Sequence, residues 1–380
     1  MKKQVLLLLG CASIVLYSCK KNQDTVVPVQ KPLTSDIVYQ FADFKKFASS
    51  PIRIPMRNSD HLQQIWNQFK QNGVSIDQII TGPDGRTLKV SSDETPTLNA
   101  ITRTTSFIGA IYYGNSIDDM SLRPIPNTVV SRRPISVYAD FPTDFIQDSI
   151  AVPSPAAQAR FVRNALKEGT GEQISSFTYD MQRFYSFDEL KLSFGANLNI
   201  GGIFTFDLLD SITSSNKKTR IRAMFIQKNF TINMEPPADG MIINGPVDPA
   251  LFGGYAPLIV TNVNYGRMGV MTIESDSSYE AVNFAVNATL NLGSTIGGGS
   301  VHLTEEQKRL MDRAKIKAYV IGADGTDAVK TVNGFDGFRD LILNGGKFSP
   351  ERPGVPISIN LRYVSDFSPY SSKFELYLPN

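Results

Sequence analysis

The chain contains few residues of the types that carry out covalent or metal chemistry. Its only cysteines and histidines are Cys11, Cys19, His61 and His302, too few for a structural zinc site or a disulfide framework. The sequence also lacks a serine nucleophile elbow, an HExxH zinc motif, a phosphate-binding Walker loop and a dinucleotide fingerprint. We therefore expect a protein that is not an enzyme and that needs neither a metal nor another cofactor.

Among these residues, Cys19 has the most informative sequence context. A positive start at Lys2 and Lys3 precedes an apolar stretch over residues 5–16, and Ser18 stands directly before Cys19. This order is typical of a signal peptide over residues 1–18 and resembles a bacterial lipobox, in which cleavage leaves a lipidated cysteine as the first residue. An ordinary secretory signal cut nearby is the alternative. The lipobox interpretation predicts a lipid anchor at the bacterial outer membrane or cell surface, or a form later released from it.

Composition indicates a folded protein with no affinity for nucleic acid. Lys and Arg number 38 against 36 Asp and Glu, a net charge of +2, and 42% of residues are hydrophobic. A nucleic-acid binder would show a basic excess, and a disordered chain would be less hydrophobic. The polar, proline-containing residues 19–35 are predicted to be a flexible tether. A weak helical pattern follows over residues 36–75, and residues 76–380 form the remaining region.

Strand patterns outnumber helical ones in that last region. A turn at Gly82–Gly85 between apolar residues predicts a hairpin, and helices are expected over residues 156–167, 304–315 and 335–343. Thr304 and Gln307 form the sequence signature of a capping box for the middle helix. These elements predict an α+β fold with a mostly antiparallel sheet. Further strands are predicted over residues 135–138, 221–232, 258–263, 270–273, 315–321 and 357–363.

Two runs of 11 residues alternate strictly between apolar and polar or small positions. In residues 190–200 and 282–292, every even position is apolar. A soluble strand with one face on the core fits this pattern, and so does a tilted strand that crosses a bilayer in about 9 to 11 residues. A turn at residues 201–203 would continue the apolar face into a second strand, with Phe204 and Phe206 opposite Ile200 and Leu198. The candidate membrane-inserting residues are Leu190, Leu192, Phe194, Leu198, Ile200, Phe204, Phe206, Val282, Phe284, Val286, Leu290 and Leu292.

Three stretches carry a resemblance to a known family. They are residues 133–142 (RPISVYADFP), residues 255–267 (YAPLIVTNVNYGR), and residues 316–322 (IKAYVIG) followed by 348–357 (FSPERPGVPI). In their order and spacing the chain, from about Ile76 onward, resembles the cholesterol-dependent, or thiol-activated, cytolysins of the perforin-like pore-forming superfamily. The resemblance implies a twisted, bent central sheet flanked by helices, with inserting segments at about 186–213 and 278–311. In that family, both segments are stored as short helices in the monomer and unfold into β-hairpins after ring assembly.

The resemblance also implies roles in assembly for several residues. Tyr185 matches a tyrosine that stacks on an aromatic residue of the neighbouring subunit, but Ile316 stands at the partner position, and Tyr319 would replace it only in another register. Gly322 keeps one of the family's paired hinge glycines, and Gly325 follows it. Because the chain ends at Asn380, we expect it to lack the C-terminal β-sandwich through which the family binds cholesterol.

These observations predict a lipid-anchored, cytolysin-like protein that oligomerises edge to edge and inserts β-hairpins into a membrane. Its partners would be target membrane lipids and further subunits, either copies of itself or a longer cytolysin-like homologue that supplies membrane binding. The alternative is a non-lytic surface lipoprotein that uses the same scaffold for adhesion or ligand binding.

Overall fold

A computed structural model describes residues 44–46, 52–55, 74–96, 104–117, 121–170, 176–183, 218–245, 248–290, 304–322, 330–333 and 353–379. Within these ranges there are fourteen strands and three α-helices. All paired strands are antiparallel except one pair, which confirms the predicted α+β class with a mostly antiparallel sheet. The strands are β1 (Ile52–Pro55), β2 (Val74–Gly82), β3 (Gly85–Ser92), β4 (Glu94–Pro96), β5 (Ile111–Tyr112), β6 (Ile135–Ala139), β7 (Gln147–Ile150), β8 (Ser176–Arg183), β9 (Thr219–Glu235), β10 (Leu258–Ser275), β11 (Lys315–Ile321), β12 (Lys330–Asn333), β13 (Val355–Tyr363) and β14 (Ser372–Pro379).

The helices are α1 (Pro155–Lys167), α2 (Tyr279–Leu290) and α3 (Glu305–Arg313). The first and third confirm the predicted helices, and Thr304 and Gln307 form the capping box expected before α3. The helix predicted over residues 335–343 lies outside the described residues.

Two long strands, β9 and β10, form the axis of the larger sheet. They pair with each other from Asn262 and Asn233 down to Ser275 and Thr219. In the upper half, β13 and β4 extend the sheet beyond β10, and β6 and β7 extend it beyond β9. In the lower half, β11 and β12 continue from β10, and β8 pairs with β9. One edge of β10 is therefore shared between β13 above and β11 below.

A smaller sheet combines the beginning and end of the described chain in the order β1-β14-β3-β2. The predicted hairpin is present there, with Gly82 opposite Gly85. Strand β1 lies within residues 36–75, where a helical pattern was expected, and Ile52–Pro55 pairs in parallel with β14. Residues 56–73 of that segment lie outside the described residues. Ile52 and Ile54 are β-branched, and such residues favour a strand when a partner edge is available.

The main hydrophobic core lies against the upper half of the larger sheet. Helix α1 contributes Phe161 and Ala165 to the same buried cluster as Ile232 of β9 and Val260 of β10. Ser154 begins this helix by accepting a hydrogen bond from the backbone of Ala157, which satisfies one free amide of the first turn. The packed upper half is a support from which the lower strands extend.

Candidate functional site

At the lower end of the larger sheet, β8, β9, β10 and β11 lie side by side, and one residue near the end of each strand falls in the same row across the sheet. Arg183 of β8 is the Cα partner of Ile221, which pairs with Ile273, which pairs with Ile316 of β11. The chain leaves β8 and returns in β9 through residues 184–218, and it leaves β10 and returns in β11 through residues 276–314. Each of the two predicted inserting segments therefore begins and ends on neighbouring strands. Both segments start from the same end of the sheet, where these strands terminate.

Helix α2 covers one face of this lower sheet. Val282, Ala285 and Val286 are fully buried at helical spacing against Ile221, Ala223, Met271 and Ile273 of the sheet. The linker before the helix is held by Thr219, whose hydroxyl donates to the backbone oxygen of Ser277 at 2.7 Å. The second alternating run is thus a helix over residues 279–290 and not a strand, as the family resemblance implied and the alternation alone did not.

Because of the alternating pattern, this helix exposes a large apolar side chain. Phe284 lies one position from the buried Ala285, and 66% of its surface is exposed. Even positions of a helix are about 200° apart, so the apolar even positions cannot all face the sheet. A large aromatic side chain is consequently in water, although it would share one face with Val282 and Val286 in a strand.

Helix α3 lies beside α2 and is held by polar interactions at its start. The Thr304 hydroxyl accepts from the backbone of Gln307 at 3.2 Å, and the Gln307 side chain accepts from the Thr304 backbone at 2.9 Å. Met311 is the buried residue of α3 within the cluster under α2. Lys308 and Glu305 form an exposed ion pair at 2.9 Å, which contributes little to stability.

The opposite face of the same strands is polar. Glu274 of β10 has Arg220 and Lys315 as its Cα partners on either side, and in the next row Arg222 pairs with Thr272. Glu274 is 5% exposed and Arg222 1% exposed. Among the residues that the structure describes, no group donates a hydrogen bond to Oε2 of Glu274. The lower sheet therefore carries an apolar face under α2 and a buried, charged face behind it.

Three glycines meet where β11 gives way to β13 along the edge of β10. A Cβ on Gly266 would lie 1.9 Å from the backbone oxygen of Gln227, so only glycine fits beside β9 there. Gly322 and Gly354 adopt φ values of +79° and +82°, and a Cβ on either would lie 2.8 or 2.5 Å from the backbone oxygen of Gly266. The pairing register shifts at the same point, between Tyr265 and Gly266, as in a β-bulge, which bends a strand.

A buried polar contact ties this bulge to the upper core. Gln158 of α1 donates from Nε2 to the Tyr265 hydroxyl at 2.8 Å and accepts from the backbone of Ile108 at 2.6 Å. The Tyr265 ring also stacks on Phe230, with the ring centroids 4.9 Å apart. Burial raises the pKa of Tyr265 well above its usual range, so the hydroxyl stays neutral. The bulge is therefore held by packing as well as by the three glycines.

The structure brings some of the sequence-predicted site residues together. Val282, Phe284, Val286 and Leu290 lie on α2, and Ile316 is buried beneath it. Ile316 is therefore enclosed within the protein in this state. Of the other candidates, Tyr319 pairs with Val270 and Thr331, and Gly322 forms the glycine contact. The remaining candidates lie outside the described residues: Cys19, Tyr185, Leu190, Leu192, Phe194, Leu198, Ile200, Phe204, Phe206, Leu292 and Gly325.

Sequence reasoning missed Gly266 and Gly354 as partners of Gly322. Both stand in stretches that carried the family resemblance, but a close approach between distant segments leaves no local pattern. The described residues contain no group of three or more His, Cys, Asp or Glu side chains placed to hold a metal ion. None of the described helices is both long enough and apolar enough to span a membrane.

Comparison with known proteins connects this geometry to a family. The family model described as thiol-activated cytolysin matches residues 79–369. Pneumolysin of Streptococcus pneumoniae serotype 4 is 26% identical over 270 residues, covering 66% of this chain and 55% of the relative. Tetanolysin of Clostridium tetani is 25% identical over 254 residues, covering 62% of this chain and 47% of the relative. The chain spans about half the length of these curated relatives.

Solved structures share the same fold. The human-specific toxin intermedilysin superposes with a TM-score of 0.63 at 19% identity, covering 90% of this chain and 73% of the other. Wild-type pneumolysin gives a TM-score of 0.63 at 16% identity with the same coverage. Listeriolysin O gives 0.61 at 17% identity, covering 92% of this chain and 73% of the other.

Proposed function

Because the chain belongs to the thiol-activated cytolysin family, we propose that it is a lipid-anchored pore-forming protein. It assembles edge to edge into a ring and inserts β-hairpins into a target membrane. Pore formation consists of oligomerisation and membrane insertion, without a chemical reaction, and it needs no cofactor. Its lipid anchor is Cys19, and its ligands are membrane lipids and other subunits.

The observation that carries this proposal is the packing of α2. Val282 and Val286 are buried but Phe284 is exposed, so the apolar even positions do not lie on one face of the helix. Converted into a strand, residues 282–292 place all their even, apolar positions on one side. The helix therefore buries only some of the apolar even positions, whereas a strand would place all of them on one apolar face.

The ladder between β10 and β11 provides the start of such a strand pair. Its last Cα pair is Glu274 with Lys315. If the register continues beyond this pair, Val286 comes to lie opposite Leu303. The alternating even positions of β10's extension then form an apolar face toward lipid, while hydrogen bonds between neighbouring strands satisfy every backbone amide, as a bilayer requires. The first segment, residues 186–213, extends β8 and β9 in the same way.

Assembly edge to edge needs two free strand edges in the lower sheet. At one side is β8, which pairs with β9, and at the other is the four-residue strand β12, which covers the edge of β11 from Lys317 to Val320. We propose that β12 leaves this edge during assembly, so that β11 pairs with β8 of the next subunit. Edge strands left unpaired readily accept another chain, and the short β12 prevents premature association.

Membrane attachment comes from two sources in this proposal. The lipid on Cys19 keeps the protein at the bacterial outer membrane or cell surface until it acts or is released. A longer cytolysin-like homologue, which supplies binding to the target membrane, joins the same ring. A mixed ring also accommodates the second segment of this chain, in which Val301 and Leu303 continue the alternation only briefly.

Imaging on liposomes tests the proposal. The protein is mixed with liposomes, alone and together with a longer homologue from the same cell, and is examined by negative-stain electron microscopy and by dye release. We expect rings and release in the mixed sample. Membrane-bound protein without rings or release in both samples would contradict pore formation and favour a surface lipoprotein that serves in adhesion or ligand binding.

A further inference from the structure

A cavity of about 640 Å³ lies at the outer edge of the upper sheet, where β6, β7 and the end of β9 meet. It is at the opposite end of β9 from Ile221 and Ala223, on which α2 packs. Its volume is within the range of protein pockets that hold small ligands. The cavity is therefore separate from the segments proposed to insert. Its lining residues include Ser136, Tyr138, Gln147, Asp148, Ser149 and Glu235.

Strand β6 turns one face toward the core and the other toward this cavity. Val137 and Ala139 are buried in the main core. Ser136 and Tyr138 alternate with them and are exposed. Because paired residues of neighbouring strands lie on the same side of a sheet, the Cα partners of Ser136 and Tyr138 share this exposed face. The face consists of two rows across three strands, Gln147–Tyr138–Asn233 and Ser149–Ser136–Glu235. All of these residues except Asn233 line the cavity.

Tyr138 is the aromatic residue of this face, and it is 43% exposed. Its ring has apolar faces, whereas its hydroxyl is polar. Polar residues surround it, because Gln147 and Asn233 are its Cα partners on either side and Ser136 lies two positions earlier on the same strand. Neighbouring strands are about 4.8 Å apart, so one small ligand would contact all three strands. An exposed ring within a polar face suits a ligand that is apolar on one side and polar around its rim.

The polar groups around Tyr138 indicate which kind of ligand fits. Asp148 and Glu235 are acidic, and none of the lining residues is lysine or arginine, so an anionic ligand would meet like charge with no cation to balance it. Carboxylates accept hydrogen bonds, and the Gln147 amide and the serine hydroxyls both donate and accept. A long acyl chain would leave these groups unpaired. The ligand that fits is neutral and rich in hydroxyl groups.

A sugar ring has both properties, because its C–H groups form an apolar face and its hydroxyls project around the rim. From these features we infer that the outer face of β6 and β7 binds a neutral glycan, with one sugar ring packed on Tyr138 and its hydroxyls bonded to Gln147 and Glu235. Strand β7 is the outermost strand on this side of the described sheet, so a longer glycan extends past it. The site goes beyond pore formation, because it attaches the protein to a glycosylated surface whether or not hairpins insert.

Binding to immobilised glycans tests this inference. The full-length protein, in a detergent that has no sugar headgroup, is applied to an array of neutral, sialylated and amine-bearing glycans. We expect saturable binding to at least one neutral glycan and competition by the same glycan in solution. Tyr138→Ala should weaken this binding about tenfold or more, because the packing surface for the sugar ring is lost. Tyr138→Phe keeps the ring and should retain most of the binding.

Ile146→Ala is the matched control. Ile146 is 53% exposed and directly precedes β7, but it does not line the cavity, so its truncation should leave glycan binding unchanged. Thermal unfolding of each variant verifies the fold. Absence of binding to every neutral glycan, equal binding by Tyr138→Ala and the natural protein, or binding confined to sialylated or amine-bearing glycans would each overturn the inference. Because the array contains no membrane, a failure of pore formation would leave these results unaffected.

Discussion

Glu274 and Lys315 form the last Cα pair of the ladder between β10 and β11. The chain between them contains α2 and α3. Its two ends lie directly opposite each other at the lower end of the sheet, where β10 ends and β11 begins. Unfolding these helices into strands would therefore lengthen β10 and β11 without breaking any existing pair between them. The contacts that would be lost are those of the cluster under α2.

The burial pattern of α2 predicts unequal effects of two truncations. Val286→Ala removes buried methyl groups and should lower the free energy of unfolding by about 1–3 kcal/mol. Phe284→Ala removes a larger side chain from solvent and should change it by less than about 0.5 kcal/mol. Urea unfolding of both variants measures the difference. Equal destabilisation would contradict the orientation of the helix.

The glycine contact predicts a stability difference between two substitutions at positive φ. Gly354→Ala meets the backbone of Gly266 and should cost at least about 2 kcal/mol, because steric overlap adds to left-handed strain. Gly253→Ala has φ of +66° with no atom within 4 Å of the added Cβ, so strain alone of about 1–2 kcal/mol is expected. Thermal unfolding of the two variants provides the comparison, and a smaller loss for Gly354→Ala would show that the contact yields easily.

Covering of β11 by β12 predicts a reversible block of assembly. Ala318 and Val332 are Cα partners in the antiparallel pair, a separation that a disulfide spans. The double variant Ala318→Cys/Val332→Cys should form no rings on liposomes while oxidised and should form them after reduction. Each single cysteine variant is the control. Rings formed by the oxidised protein would exclude release of β12 as a step in assembly.

Lipidation gives a prediction that does not depend on the pore. Cys19→Ala should move the protein from the detergent phase to the aqueous phase in detergent partition, because the acyl chains supply its membrane affinity. Unchanged partition would contradict the lipoprotein interpretation and leave an ordinary secretory signal as the better explanation.

Local sequence patterns predicted much of the fold. The turn at Gly82–Gly85, the helix after Ser154 and the capping box at Thr304 each depend on residues close together in the chain, and each was found where expected. The helix α2 was harder to predict, since alternation with period two indicates a strand. Packing of Val282, Ala285 and Val286 on the sheet outweighs that pattern in this structure.

Features formed between distant segments could not be predicted from local pattern at all. The contact of Gly266 with Gly322 and Gly354 depends on β11 and β13 sharing one edge of β10, which is a property of the topology. The same holds for Ile316, whose sequence position suggested an assembly role but which is buried under α2. Strand β1 likewise depends on the edge of β14, which is more than 300 residues away in the chain.

In the proposed pore, helix α2 unfolds and residues 282–292 become a lipid-facing strand, which one pair of arginine variants can test. Phe284 and Asn287 are both exposed on α2, so Phe284→Arg and Asn287→Arg should both leave the folded monomer intact, as circular dichroism will verify. In a strand the two positions face opposite sides. An arginine near the bilayer midplane on the lipid face costs about 2–4 kcal/mol in each subunit, whereas one in the lumen mainly alters selectivity.

Dye release from liposomes with the assembled ring is the measurement. Phe284→Arg should abolish release, and Asn287→Arg should retain it with a shift of ion preference toward anions. The pairs Leu290→Arg with Asn291→Arg, and Leu198→Arg with Asn197→Arg in the first segment, should show the same contrast. Equal release by Phe284→Arg and Asn287→Arg would contradict the conversion of residues 282–292 into a lipid-facing strand.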